Sequence, residues 1–184
     1  DYIALTKPRI ISLLLITALG GMFLAAKGIP DGATIAVVLV AGSLAAGGAN
    51  SINHYLDRDI DYKMSRTRKR PVAGGRITGR DAMYFGVALN VVAFVLLSVL
   101  VNPLSAGLTM AATGVYVFVY TLGLKRTSPH NIVIGGAAGA FPPMVGWAAV
   151  QGDVGIASVY LFAIVFFWTP PHFWALAIKY RDDY

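Results

Sequence analysis

The sequence predicts an all-α fold, a bundle of transmembrane helices whose charged ends gather at one membrane face. Three observations carry this reading. Of the 184 residues, 57% are hydrophobic and only 13% are charged, with a mean hydropathy of +0.65; soluble domains carry about twice that share of charge, ~25%. The uncharged stretches are long enough to cross ~30 Å of hydrocarbon, which takes about 20 helical residues. The charges fall between those stretches, almost all in alternate gaps.

Taken in order, residues 10–26 form an uncharged run of 17, and residues 33–56 a run of 24. Residues 82–124 form a run of 43, too long for one span, and Asn102-Pro103 near its middle splits it in two. Residues 127–152 and 154–178 add runs of 26 and 25, for six candidate helices. Membrane strands would alternate in polarity over ~10-residue segments, and these runs do not. Gly135 and Gly139 stand in GxxxG spacing. This predicts close helix packing rather than a phosphate-cradling loop, because no strand precedes them.

Six spans put alternate connections on opposite sides. Lys27 is the sole basic residue on one side, and fourteen of the fifteen lie on the other. The positive-inside rule places the N-terminus and the basic connections in the cytoplasm. The net charge of +6 is thereby a topology signal, and a nucleic-acid partner is excluded. With no cysteine, disulfide frameworks and thiolate metal sites are excluded as well.

All nine acidic residues are Asp, and Asp57, Asp59 and Asp61 cluster at the end of the second span. If the helix continues, Asn53, Asp57 and Asp61 stand at i, i+4 and i+8. Each step of four turns by about 40° and rises about 6 Å, so the three share a face and Asp59 points elsewhere. Two carboxylates one turn apart repel unless a cation joins them. Mg²⁺ suits the place, because it takes one or two carboxylates and completes its shell with water and substrate phosphates. Lys63, Arg66 and Arg70 follow in a basic loop. Arg forks onto phosphate oxygens and Lys supplies a point charge. A basic run alone is a topology signal, and neighbouring Asp and Arg alone make surface ion pairs. With the aspartates in helical register, the combination reads as a Mg²⁺–diphosphate site, with Asn53, Asp57 and Asp61 as its catalytic face.

Residues 53–71, with Asp57-Arg58-Asp59-Ile60-Asp61 followed by Met64, Arg66-Thr67 and Arg70-Pro71, resemble the first aspartate motif of the intramembrane aspartate-rich prenyltransferases, in the form found in the haem O synthase family. Thr6-Lys7-Pro8-Arg9 resembles that family's start. The segment from Lys125-Arg126-Thr127-Ser128-Pro129-His130 through Pro142-Pro143, Gly146 and Trp147 resembles its centre, and Phe167-Trp168-Thr169-Pro170-Pro171-His172-Phe173-Trp174 its sixth span. The resemblance covers the whole chain. It implies a single prenyltransferase domain over residues 1–184, C-terminally truncated, with six of about nine spans, in a bacterial inner or plasma membrane. It implies that the farnesyl group of farnesyl diphosphate joins a vinyl group of haem B to form haem O, with diphosphate released. Lys125 and Arg126 join the diphosphate-binding set. A second aspartate motif should follow the sixth span, where Asp182 and Asp183 stand, Asp183 being the candidate third metal ligand.

His172 and His130 are the haem candidates. An ionisable residue inside a span is a functional candidate by default. His172 follows two prolines that free backbone carbonyls, so it either meets haem iron or hydrogen-bonds such a carbonyl. His54, beside the aspartates, reads as structural. The tryptophans either line a pocket or sit at interfaces. Pro142-Pro143 and Pro170-Pro171 are expected to bend two successive spans and open a cleft. The lipid bilayer is the implied surroundings, and a haem-handling membrane partner stays unidentified. The competing readings are a prenyltransferase acting on an aromatic acid or another tetrapyrrole, a transporter, and a purely structural subunit. A transporter would hold its aspartates within spans or a broken helix, and a structural subunit has no use for the stripe.

Overall fold

The computed structural model describes residues 1–128 and 130–179. Among them the chain is helical, with no strand. A short α1 (Tyr2–Thr6) leads into α2 (Pro8–Ala26), α3 (Gly32–Leu56) and the short α4 (Arg58–Lys63). After an irregular loop come α5 (Gly79–Leu100) and α6 (Pro103–Gly114), which runs on as a π-helical segment, Val115–Leu124. The last two are α7 (Asn131–Gln151) and α8 (Ile156–Lys179). Six helices are long and apolar enough to cross a membrane, the fourth being Pro103–Leu124 taken whole. They match the six runs read from the sequence, and the protein is an integral membrane protein.

Local chemistry sets the boundaries. Asp31 begins α3 by accepting a hydrogen bond from the Thr34 amide at 2.8 Å, and Thr78 begins α5 by accepting one from Asp81 at 3.1 Å. These side chains satisfy amides that a helix start leaves without partners. Asn102 divides the 43-residue run. Its Oδ1 accepts from the Ser105 amide at 2.8 Å, Pro103 occupies the first turn, and its Nδ2 donates to the Ala148 carbonyl of α7 at 2.9 Å.

Packing follows membrane logic. The central core holds Met22, Val38, Ala41, Ala45, Ala93, Leu97, Ala106 and Ala149, mostly small residues. Large apolar side chains such as Leu13, Ile16, Val99, Phe118, Ile164 and Phe167 point outwards. Lipid tails are as apolar as these side chains, so close van der Waals contact between helices replaces hydrophobic collapse as the cohesive force. Helix α3 lies along α5, α7 lies along α2 and α8, and α6 bridges α5 and α7. At the α2–α7 crossing a Cβ added to Gly146 would strike the Ala18 carbonyl, so only glycine permits that approach.

One expectation needs correction. Gly135 and Gly139 do not act as a pair: a Cβ on Gly135 would meet the Tyr120 ring, whereas Gly139 has nothing within 4 Å. Gly135 is closely packed, and the close approaches of backbone to backbone fall to glycines outside the motif, such as Gly21 and Gly146. Helices α7 and α8 run without interruption through Pro142-Pro143 and Pro170-Pro171. Pro143 is buried, with its backbone against Gly21. It is part of the α2–α7 contact.

Candidate functional site

The chain comes together at one end of the bundle, where α3 ends, α2 begins, and the π segment runs into Lys125. Helix α3 gives way at Asp57, whose φ of −91° and ψ of 3° leave the α region, and α4 restarts at Arg58. The interruption does not disturb the register. The Asp57 amide still donates to Asn53 O at 2.9 Å and the Asp61 amide to Asp57 O at 2.8 Å. Asn53, Asp57 and Asp61 therefore keep one face and are all buried, with Asp57 at 0% exposure and Asp61 at 2%. Asp59 is exposed, as the helical spacing requires.

Each buried group meets a cation or a hydroxyl. Arg70 Nη1 donates to both carboxylate oxygens of Asp61 at 2.8 Å. Lys125 Nζ pairs with Asp57. Lys7 Nζ donates to Asn53 Oδ1 at 3.1 Å, and Asn53 Nδ2 donates to Asp57 Oδ2 at 2.7 Å and to Thr121 Oγ1 at 3.2 Å. Thr67 Oγ1 donates to Asp61 O at 3.0 Å and fastens the basic loop under the site. Burial, followed by the nearby Arg70 and Lys125 charges, lowers the Lys7 pKa to about 8.

Asp57 Oδ1 is buried and has no hydrogen-bond partner among the described residues. Two carboxylates and an amide oxygen form an all-oxygen donor set with spare acceptor capacity, which fits a hard divalent cation. Among the described residues no group of three or more His, Cys, Asp or Glu gathers to hold a metal. A metal here would need oxygens from a ligand as well. That is the pattern of magnesium on a phosphate substrate.

The other predicted residues are placed as follows. Lys63 and Arg66 are exposed, and Arg66 lines a cavity beside Arg70. Arg126 turns from the cluster to the surface. It forks onto Asp59 at 2.8 and 2.9 Å and donates to the Leu56 carbonyl at the end of α3. The Arg126 guanidinium holds Asp59 down to about 2. His130 is exposed at the start of α7, its amide donating to Ser128 Oγ at 3.2 Å. His172 is exposed on α8, its ring stacked 4.3 Å from that of Trp168. Neither histidine joins the carboxylate cluster. Asp182 and Asp183 lie outside the described residues.

Lys7 and Thr121 are site residues that the sequence reading left out, and His54 is one that it read as structural. Lys7 had a local signal. Pro8 fixes a helix start, and Lys7 occupies the junction in a left-handed conformation, φ 56°, which aims it across to α3. Thr121 had none, because its placement depends on the π segment. His54 is fully buried beside the carboxylates, and neither ring nitrogen has a hydrogen-bond partner among the described residues.

Comparison with known proteins gives a consistent picture. The model of the UbiA prenyltransferase family matches residues 14–184. A protoheme IX farnesyltransferase of Frankia casuarinae is 58% identical over 183 residues, covering 100% of this chain and 63% of the relative. One of Thermus thermophilus is 56% identical over 184 residues, covering 100% of this chain and 30% of the relative. The chain thus spans less than two thirds of the length of these relatives. Among solved structures, a UbiA homolog from Archaeoglobus fulgidus bound to DMAPP and Mg²⁺ superposes with a TM-score of 0.74 at 19% identity, over 92% of this chain and 60% of that one. The same homolog bound to GPP and Mg²⁺ gives 0.72.

Proposed function

The chain belongs to the UbiA prenyltransferase family, and from that premise we propose that it transfers the farnesyl group of farnesyl diphosphate to a vinyl group of haem B, forming haem O. The observation that carries the reading is the buried Asn53–Asp57–Asp61 face ringed by Lys7, Arg70 and Lys125 at the end of an apolar bundle. The choice of haem over other acceptors follows the relatives, which are farnesyltransferases of protoheme IX by name. Residues 1–184 form a single domain in this reading, and the basic face is cytoplasmic.

The allylic C1–oxygen bond breaks with its electron pair leaving on diphosphate. The vinyl group then bonds to C1, and water adds to the resulting cation and loses a proton. Asp57 and Asp61, with Asn53 beside them, would hold Mg²⁺. Bound there, the ion supplies neutralisation of charge developing on the leaving oxygens. Arg70, Lys125 and Lys7 are fixed beforehand around the same point, so they stabilise that charge without reorganising. The apolar helix surfaces hold the prenyl chain and keep water from the cation until capture. Lys63, Arg66 and Arg126 are outer contacts for the anion, and Asp183 is the candidate for a third metal ligand.

The test supplies farnesyl diphosphate and Mg²⁺ with either haem B or 4-hydroxybenzoate and identifies products by mass. Farnesylated haem is the expected product. Prenylated benzoate without prenylated haem overturns the acceptor, and no diphosphate release with any acceptor overturns the reaction class.

A further inference from the structure

The residues ahead of the first span build a small core of their own. Helix α1 buries Leu5 completely against Val72 and Ile77 of the basic loop and Ala82 of α5, with Phe85 packed on the cluster. None of these side chains belongs to the core between the spans. Tyr2 meets the Phe85 ring edge-on at 5.0 Å, and Asp1 accepts from Arg76 Nε at 2.9 Å. The other end of α1 is fastened to α3. Asn50 Nδ2 donates to the Thr6 carbonyl at 2.9 Å, and a Cβ on Gly47 would come within 3.0 Å of the Thr6 side chain. Lys7 then turns the chain into α2 with a φ of 56°, which a residue with a Cβ keeps only where its surroundings hold it. Helix α1 is thus held at both ends, and what it holds in turn is the basic loop.

That loop, residues 64–78, has no helix or strand of its own. It reaches the carboxylate face through Thr67 and Arg70. A long Arg side chain has many rotamers to lose, so its position is only as definite as the backbone that carries it. Val72 and Ile77 are the buried apolar residues that seat this backbone, and Leu5 is the largest fully buried side chain they meet. We propose that Leu5 is a positioning residue for prenyl transfer: through Val72 and Ile77, α1 holds the basic loop in the arrangement that keeps Arg70 on Asp61. The proposal rests on the prenyl-transfer reading for what Arg70 does in the reaction, whereas the seating of the loop is independent of it. An Arg fixed beforehand stabilises charge on the leaving diphosphate without reorganising, and a loose one must first be ordered. Because the Leu5 cluster stands apart from the span core, losing it opens the loop locally and leaves the bundle folded.

Leu5→Ala in the full chain, in detergent, is the test. Trypsin cleavage after the exposed Arg68 and Lys69, located by mass, should quicken ~10-fold or more as the loop opens locally, while the melting temperature of the bundle stays near that of the parent. The kcat for transfer from farnesyl diphosphate should fall ~10-fold, within the scale of a slightly misplaced group. KM should stay within about threefold, since the contact that is lost is made in the transition state. In an Arg70→Gln background Leu5→Ala should cost nothing further, because a residue that acts through another gives non-additive effects. Leu5→Met, close in volume, should restore both cleavage resistance and rate. Cleavage as slow as in the parent overturns the seating of the loop. An undiminished kcat overturns the positioning role, and an equal loss in the Arg70→Gln background overturns the action through Arg70. Where Leu5→Ala does not fold, the smaller truncation Leu5→Val carries the same cycle. Faster cleavage in a chain whose parent transfers no prenyl group sinks the functional reading alone, and undiminished transfer beside unchanged cleavage sinks this proposal alone.

Discussion

Asp57, Asp59 and Asp61 are chemically identical and two residues apart, yet their surroundings differ completely. Asp57 and Asp61 are buried on cations, and Asp59 is exposed on Arg126. Asp57→Asn and Asp61→Asn keep the shape and remove a charge, and each should lower prenyl transfer ~10²-fold or more, the scale of a lost electrostatic contact to a transition state. Asp59→Asn should leave the rate within about threefold, because exposed pairs contribute little. Equal losses at all three positions would refute the division into faces. The pH behaviour follows from the same pair. Asp59 falls from an ordinary 3.8 to about 2 in the folded state. Its contribution to stability is therefore present above pH 3.8 and lost as pH falls through 2. Thermal unfolding of the parent and of Asp59→Asn should differ slightly at pH 6, and that difference should vanish near pH 2. The stripe was legible in the sequence because helical spacing alone assigns a face. The places of Lys7 and Thr121 were not, because each reaches the site across a helix contact rather than along the chain.

At the scale of elements, span number and limits were legible because hydrocarbon thickness fixes helix length whatever the packing. The helix partners were not. Each apolar run is uniformly apolar, so its periodicity does not say which side meets protein and which meets lipid. The π segment escaped for the same reason. Within Val115–Leu124 the backbone bonds reach five residues back, and the Lys125 amide still donates to Tyr120 O at 2.8 Å. Such segments often occur at functional sites. Here it delivers Thr121 and Lys125 to α3, and Arg126, next along the chain, turns to the surface instead. Helix contacts give a direct test. Gly146→Ala forces a methyl into the Ala18 carbonyl and should destabilise the bundle by ~1–3 kcal/mol, as overpacking does. Gly139→Ala meets open space and should be neutral or stabilise by up to ~1 kcal/mol through helix propensity. Thermal melts in one detergent measure both, and equal losses would show that the GxxxG pair is the tighter contact after all.

For the whole molecule, the decisive matters are which way the bundle faces and what it accepts. Fourteen of fifteen basic residues fall on one side, and the proposed orientation puts that side in the cytoplasm by the positive-inside rule. Single cysteines at Ser65, in the basic loop, and at Gly155, between α7 and α8, report it. An impermeant thiol reagent applied outside intact cells should label the second and spare the first, and the reverse pattern would invert the orientation. The acceptor is the harder question, because any prenyl diphosphate enzyme can use the carboxylate face. His172 is the candidate haem contact, and it stands apart from the cluster, exposed on α8 and stacked on Trp168. Exposure on a span favours a flat apolar partner over water, and the imidazole stacks on Trp168 and meets Phe173 edge-on. A porphyrin has such faces and an iron that imidazole commonly ligates. If His172 holds the iron, His172→Ala should shift the Soret band of bound haem and weaken haem affinity, while metal-dependent binding of farnesyl diphosphate stays as in the parent. An unchanged spectrum and affinity would pass the role to His130 at the start of α7. Weakened binding of both substrates would mean instead that His172 holds α8 in place.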